Sequence, residues 1–144
     1  MTTPQLILFA AVFAQVALTL VVYLLLVRAR FAYASDRANL KPELAYDQSA
    51  WPVSSRQIAN SVTSQFELPV LFYAGVLFAF QFGAAGWLAA ALAWIFVATR
   101  IAHAFIHIGK NIMMTRFQFF LAGFVMIAVF WINLAITVLT RGAV

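Results

Sequence analysis

Hydrophobic positions in this chain gather into four long runs and show no short alternating pattern. The first extends from Leu6 to Val27 without a charge and is closed by Arg28 and Arg30. The second starts at Trp51-Pro52 and reaches Phe82 with one acid, Glu67, inside it. The third covers Ala84 to Ile108 and contains Arg100, His103 and His107; the fourth covers Phe117 to Thr140, with Asn133 as its main polar residue. A bilayer hydrocarbon core is crossed by roughly 20 helical residues, and each run meets that length. The pattern therefore predicts an all-α, four-transmembrane-helix up-down bundle in a single domain, 1–144, with helices over about 5–28, 52–82, 84–108 and 116–140. Pro52, Ser54 and Ser55 are start signals for the second helix. Gly83-Ala-Ala-Gly86 forms a tight turn before the third, and Gly109-Lys110-Asn111 breaks the chain before the fourth. Pro69 has no N–H for the carbonyl of Gln65, so a kink is expected there.

Composition moves the picture from core helices to membrane spans. Of 144 residues, 65% are hydrophobic and 9% charged, whereas a water-soluble domain needs about a quarter of its residues charged. The net charge of +5 would point to nucleic acid in a soluble protein, but here its placement along the chain gives another reason, and no nucleic-acid partner is expected. Arg28, Arg30, Arg37, Lys41, Arg56, Lys110 and Arg116 fall at the first and third loops or the helix ends beside them, against Arg141 alone at the other side. The positive-inside rule then puts those loops in the cytoplasm and both termini opposite, in the periplasm or a lumen. The expected location is a bacterial inner membrane. The start, MTTPQLIL, has no basic n-region and no small-residue cleavage pattern follows the apolar run, so the first run is expected to stay as a span. There is no cysteine, which excludes disulfides, thiolate metal sites and a protein-borne thiol nucleophile.

The connection 29–51 holds three of the four acids, Asp36, Glu43 and Asp47, and loops of this length in a compact bundle are more often functional or mobile than idle. Charges inside the spans carry more information. An ionised side chain at mid-membrane costs at least ~2.5–3.5 kcal/mol, so Glu67 and Arg100 need partners or a purpose. Arg56, Asn60, Ser64 and Glu67 stand at steps of four, four and three; Arg100, His103 and His107 at steps of three and four. Each set forms one stripe of a helix. Two polar stripes on antiparallel neighbours should face each other or another subunit, since lipid penalises them. Glu67 and Arg100 fall at a shared level and are expected to pair, either as a tie that fixes helix packing or as part of a site. The two histidines lack an evident third ligand, and no metal site is expected. Trp51, Trp87 and Trp131 read as interface or packing aromatics.

Arg100-Ile-Ala-His103-Ala-Phe-Ile-His107, followed nine residues later by Arg116, is similar to the R-x-x-H-x-x-x-Y…R pattern of microsomal glutathione transferases. RQIANSVTSQFELPVLF, from Arg56 to Phe72, resembles a helix-two segment in which Arg, Asn and Glu precede a Pro. Over nearly its whole length the chain thus resembles the MAPEG family, the membrane-associated proteins of eicosanoid and glutathione metabolism. His107 stands where the family usually has Tyr, and Glu67 lies two residues before Pro69 where several members have three.

The resemblance implies a homotrimer of four-helix subunits with glutathione, as co-substrate, bound between neighbours near the cytoplasmic face. By the same carry-over Arg56, Asn60 and Glu67 hold the peptide part, with His103 and His107 beside it. Arg100 holds a glutathione carboxylate or the Glu67 side chain, and Arg116 stabilises the thiolate. It implies a glutathione-dependent transferase or peroxidase acting on lipophilic electrophiles dissolved among the membrane lipids. A non-catalytic scaffold or accessory subunit is the first alternative, and a small proton-coupled exporter the second.

Overall fold

A computed structural model describes residues 1–141; residues 142–144, and with them the expected position of the C-terminus, lie outside the described residues. Five α-helices are present: α1 Thr3–Ala34, α2 Val53–Ser64, α3 Leu68–Gln81, α4 Trp87–Ile108 and α5 Met113–Arg141. Because α2 and α3 follow one another as the two parts of one span, Val53–Gln81, the chain crosses four times. Gly83, at φ 66°, makes the turn from α3 toward α4, a backbone region open to glycine at little cost.

Two differences from the expected boundaries have physical causes. The first helix runs six residues beyond 28, to Ala34. Arg28 and Arg30 mark where the apolar run ends, but arginine is a good helix former and the backbone keeps its hydrogen bonds in water. At 1.5 Å per residue, α1 is roughly 48 Å long and overshoots a ~30 Å hydrocarbon layer. The second difference is in the expected single helix 52–82. It is broken, not merely kinked, and the break lies over 65–67, just before Pro69. Proline is tolerated in the first turn of a helix and not in its interior, so the chain restarts around it as α3.

The connection after α1 is ordered by three 3-10 turns, Arg37–Asn39, Pro42–Ala45 and Gln48–Ala50. Trp51 ties it down: its indole N–H donates to the Leu44 carbonyl at 3.1 Å, and the Arg30 guanidinium lies 4.7 Å over its ring. That cation–π contact gives Trp51 more than the interface role expected for it.

The interior is layered. A large apolar cluster fills the half remote from this loop, with Leu8, Phe72, Phe96, Ile127 and Phe130 at its centre. A small one, Val22, Leu26, Val62 and Ala104, lies at the loop end. Between them in sequence, on three of the four spans, stand the buried polar residues Gln15, Ser64, Gln65 and Arg100, with Ser61 one residue before Val62. Outward positions such as Phe13, Leu24, Leu77 and Leu139 are exposed and apolar, the surface expected against lipid. Helices pack closely where residues are small. A Cβ on Gly75 would come within 3.0 Å of the Phe130 ring, which sets how near α3 lies to α5.

Candidate functional site

The site begins with the break in the second span. At the end of α2 the bonds tighten to the three-residue type, Gln65 N–H to Val62 at 2.9 Å and Phe66 N–H to Thr63 at 2.9 Å. The Ser64 carbonyl is one of those a helix end leaves without an intrahelical donor. Arg100 fills that need from α4. Its Nη2 donates to the Ser64 carbonyl at 2.8 Å and to the Ser64 hydroxyl at 2.7 Å, with the whole residue buried. A helix C-terminus also carries about half a negative charge, so a guanidinium is electrostatically matched to this place.

The expected Glu67–Arg100 pair is therefore not what anchors Arg100: its hydrogen bonds go to Ser64, while Glu67 is exposed. The shared level was inferred from a continuous helix two. The break leaves Glu67 exposed and without a hydrogen bond to Arg100, and offers a backbone carbonyl as acceptor instead. Nε and Nη1 of Arg100 remain without hydrogen-bond partners.

A second polar link lies alongside. Gln15 of α1 donates through its amide to the Gln65 side chain at 3.0 Å, both residues buried. Gln65 in turn reaches back to the Ser61 carbonyl at 3.4 Å. The break is thus held from α1 on one side and from α4 on the other. Gln15 belongs to no polar stripe in the sequence, although a glutamine amid an apolar run is itself a signal for an interhelical hydrogen bond.

In front of the break is a pocket of about 320 Å³, lined by Asn60, Ser64, Glu67, His103, His107, Met113, Arg116, Phe117 and Phe120. Five of the residues singled out by sequence, Asn60, Glu67, His103, His107 and Arg116, meet here. Both histidines are at least nine-tenths buried, their rings 5.6 Å apart and edge to face, and Nδ1 of each lacks a partner. His103 also packs against Phe120, 6.2 Å away between ring centres. Buried polar atoms without partners are rare in folded proteins.

Nearer the loop is a second pocket of about 430 Å³, lined by Gln48, Ser49, Val53, Arg56, Gln57, Asn60 and Asn111. Asn60 belongs to both pockets, so they adjoin. Arg56 lines this outer one, and its Nε is buried without a partner. Arg100 lines neither pocket and stands behind Ser64.

Asn111 joins the two pockets from the far side. It adopts φ 48° in the turn between α4 and α5, a left-handed conformation asparagine tolerates better than most residues. From there its Oδ1 accepts from Arg116 Nη1 at 2.7 Å, fixing the one cation that reaches the inner pocket from α5. The sequence marks Asn111 only as part of a helix break; the left-handed tolerance of Asn after Gly109-Lys110 is the clue to its role. Gln48 and Ser49 were missed because a loop reading assigns no direction to individual side chains. Among the described residues no cluster of three His, Cys, Asp or Glu is placed to hold a metal.

Fold and site together define an integral, multi-pass membrane protein: four spans, with a polar pocket bounded by the second, third and fourth at the loop end. A family model described as the MAPEG family matches residues 8–136, and the chain belongs to that family. No curated protein and no solved structure gives a match.

Proposed function

We propose that this protein is a membrane-bound glutathione-dependent transferase or peroxidase that acts on lipophilic electrophiles. The observation that carries the reading is the meeting of Asn60, Glu67, His103, His107 and Arg116 at one pocket. The donor set fits the co-substrate. Glutathione carries two carboxylates, a free amine, two amides and a thiol. Arg56 and the amides of Gln48, Gln57 and Asn60 suit its carboxylate and peptide groups, and Glu67 suits the amine. The unpartnered Nδ1 atoms of His103 and His107 give it further hydrogen-bonding positions.

The sulfur belongs beside Arg116. A thiol with a pKa near ~8.5 attacks only as thiolate, and a fixed cation raises the fraction ionised. Arginine holds its charge in any protein environment, and the bond to Asn111 holds the guanidinium in place. Arg100 enters as a positioning residue that keeps Ser64 and the break in register. Met113, Phe117 and Phe120 give the same pocket an apolar wall on α5, suited to a substrate arriving from the hydrocarbon.

The pocket is open on the surface of one chain, and the reading places a neighbouring copy there, with three copies around a common axis. Loops one and three face the cytoplasm on this reading, as their positive charge favours. The deciding experiment is calorimetric titration of the detergent-solubilised protein with glutathione, followed by turnover of a chlorinated aromatic. Saturable binding with turnover supports an enzyme. Binding without turnover, or no binding, leaves a non-catalytic scaffold or accessory subunit.

A further inference from the structure

A different part of the surface points to lipid. Two apolar grooves run along α4 on the face carrying Phe105, and Phe105 and Gly109 line both of them. The first, of about 330 Å³, lies between α1 and α4, walled by Leu18, Val21, Leu25, Ile101 and Ile108. The second, of about 270 Å³, lies toward the start of α5 and is walled by Ile106, Ile112 and Thr115, with Lys110 at its edge. Phe105 is 81% exposed and stands between them as a fin. Gly109, without a side chain, leaves the two grooves connected at the loop end.

Cations stand at the loop end of the grooves. Lys110 follows Gly109 directly. Arg28 continues the groove stripe of α1, since Leu18, Val21, Leu25 and Arg28 stand at steps of three, four and three. Both are exposed, and among the described residues neither side chain has a hydrogen bond or ion pair. Two apolar channels that share Phe105 and Gly109, with two unpartnered cations at their loop end, match a molecule with two chains and one negatively charged head.

We propose that this face binds one anionic diacyl phospholipid, its chains on either side of Phe105 and its phosphate held by Lys110 and Arg28. The chain beside α1 has a track from Leu25 down to Leu18, roughly 10 Å along the helix axis. Basic residues between helices at a membrane surface are a recurring means of holding such headgroups. The proposal is independent of glutathione chemistry.

Native mass spectrometry of the purified protein, titrated in nonionic detergent with phosphatidylglycerol or with phosphatidylcholine of the same chains, tests it. The wild type should retain phosphatidylglycerol roughly tenfold better, since two cations near the headgroup act on its charge. Arg28→Gln with Lys110→Gln should bring the two lipids level, while Lys110→Arg keeps the preference. Phe105→Ala should weaken retention of both lipids with the subunit number unchanged. Equal retention by the wild type, or a preference that survives the double substitution, overturns the proposal. So does a change in subunit number in Phe105→Ala, which would show that a second copy covers the grooves.

Discussion

The two parts of the second span are built from opposite materials. In α2 the buried residues are Ser55, Ser61, Val62 and Ser64; in α3 they are Leu68, Pro69, Phe72, Gly75, Val76 and Ala79. The first part turns Arg56 and Asn60 toward two pockets and is held by side-chain hydrogen bonds at its end. The second packs Phe72 at 5.0 Å against Phe96 and lets Phe130 approach Gly75. A continuous helix would force both parts to share one rotation and one tilt. The break at 65–67 separates them, so that α3 packs for stability while α2 is oriented for binding. Arg100 on Ser64 and Gln15 on Gln65 make the separation tolerable within the membrane.

The largest effect should come from removing Arg100. Arg100→Ala strands the Ser64 carbonyl and opens a cavity, and should cost about 3–5 kcal/mol of unfolding free energy in mixed micelles. Ser64→Ala, which keeps the carbonyl bond, should cost about 1–2 kcal/mol. The two losses should not add, because they share an interaction. Additive losses would show that Arg100 holds something other than the end of α2. In the same cycle Glu67→Gln with Arg100→Ala should show less coupling than Ser64→Ala does, since Glu67 acts on Arg100 through its charge and not through a hydrogen bond.

Next comes Arg116, whose effect belongs to the chemistry and not to the fold. Arg116→Ala should lower turnover about a hundredfold, as expected for loss of one fixed electrostatic partner of a developing anion. Glutathione affinity measured below the thiol's ionisation should change little, and the bound thiol should ionise at higher pH. Ultraviolet spectra of the bound thiolate across pH decide this, and superimposable titrations for wild type and variant would end the assignment. Asn111→Ala should shift the titration the same way by less, since it frees the guanidinium without removing its charge.

A pair of milder substitutions separates the two parts of the span directly. Gly75→Ala introduces a Cβ 3.0 Å from Phe130 and should cost about 1–3 kcal/mol by overpacking, with glutathione affinity untouched. Arg56→Gln should do the reverse, weakening affinity roughly tenfold, about 1.4 kcal/mol, with little effect on unfolding. If Gly75→Ala impairs binding as much as Arg56→Gln, the break does not insulate α2 from α3.

How far the sequence reaches follows the same division. The four spans are legible because each apolar run is long enough to cross a bilayer, and nothing but a helix satisfies its backbone there. The stripe Arg56–Asn60–Ser64–Glu67 is legible because three- and four-residue steps keep a fixed face. Its last member, Glu67, lies beyond the break that Pro69 imposes; it still lines the pocket with Asn60 and Ser64, but the hydrogen bonds of Arg100 go to Ser64. Arg100's acceptor is hidden for a related reason: a backbone carbonyl becomes available only where a helix ends, and side-chain spacing does not report it. The extension of α1 to Ala34 is missed because hydropathy marks the edge of lipid and not the end of a helix. The ordered loop rests on local turns and on Trp51 over Arg30, a contact between residues far apart in sequence.

The smallest expected effect tests whether that ordered loop contributes to the outer pocket. Asp47 accepts from the Ser49 amide at 2.8 Å and from the Ser49 hydroxyl at 2.7 Å, closing the turn Gln48–Ala50. Gln48 then receives Arg30 Nη2 at 2.9 Å, and Gln48 and Ser49 line the outer pocket beside Arg56. The bonds from the Ser49 hydroxyl and amide hold the Asp47 carboxyl below its ordinary value of 3.8. A carboxyl lowered in the folded state supports the turn fully above that ordinary value, and the support is lost as pH falls through the lowered one. At neutral pH the turn is therefore at its firmest. Asp47→Ala should speed amide exchange at Ser49 and weaken glutathione binding a few-fold, and Asp47→Asn, which still accepts a hydrogen bond, should restore most of both. Exchange at Ser49 that is unchanged in Asp47→Ala would mean the carboxylate does not hold the turn. Faster exchange with unchanged affinity would instead remove Gln48 and Ser49 from the binding surface, leaving α2 and Asn111 to carry the outer half of the site.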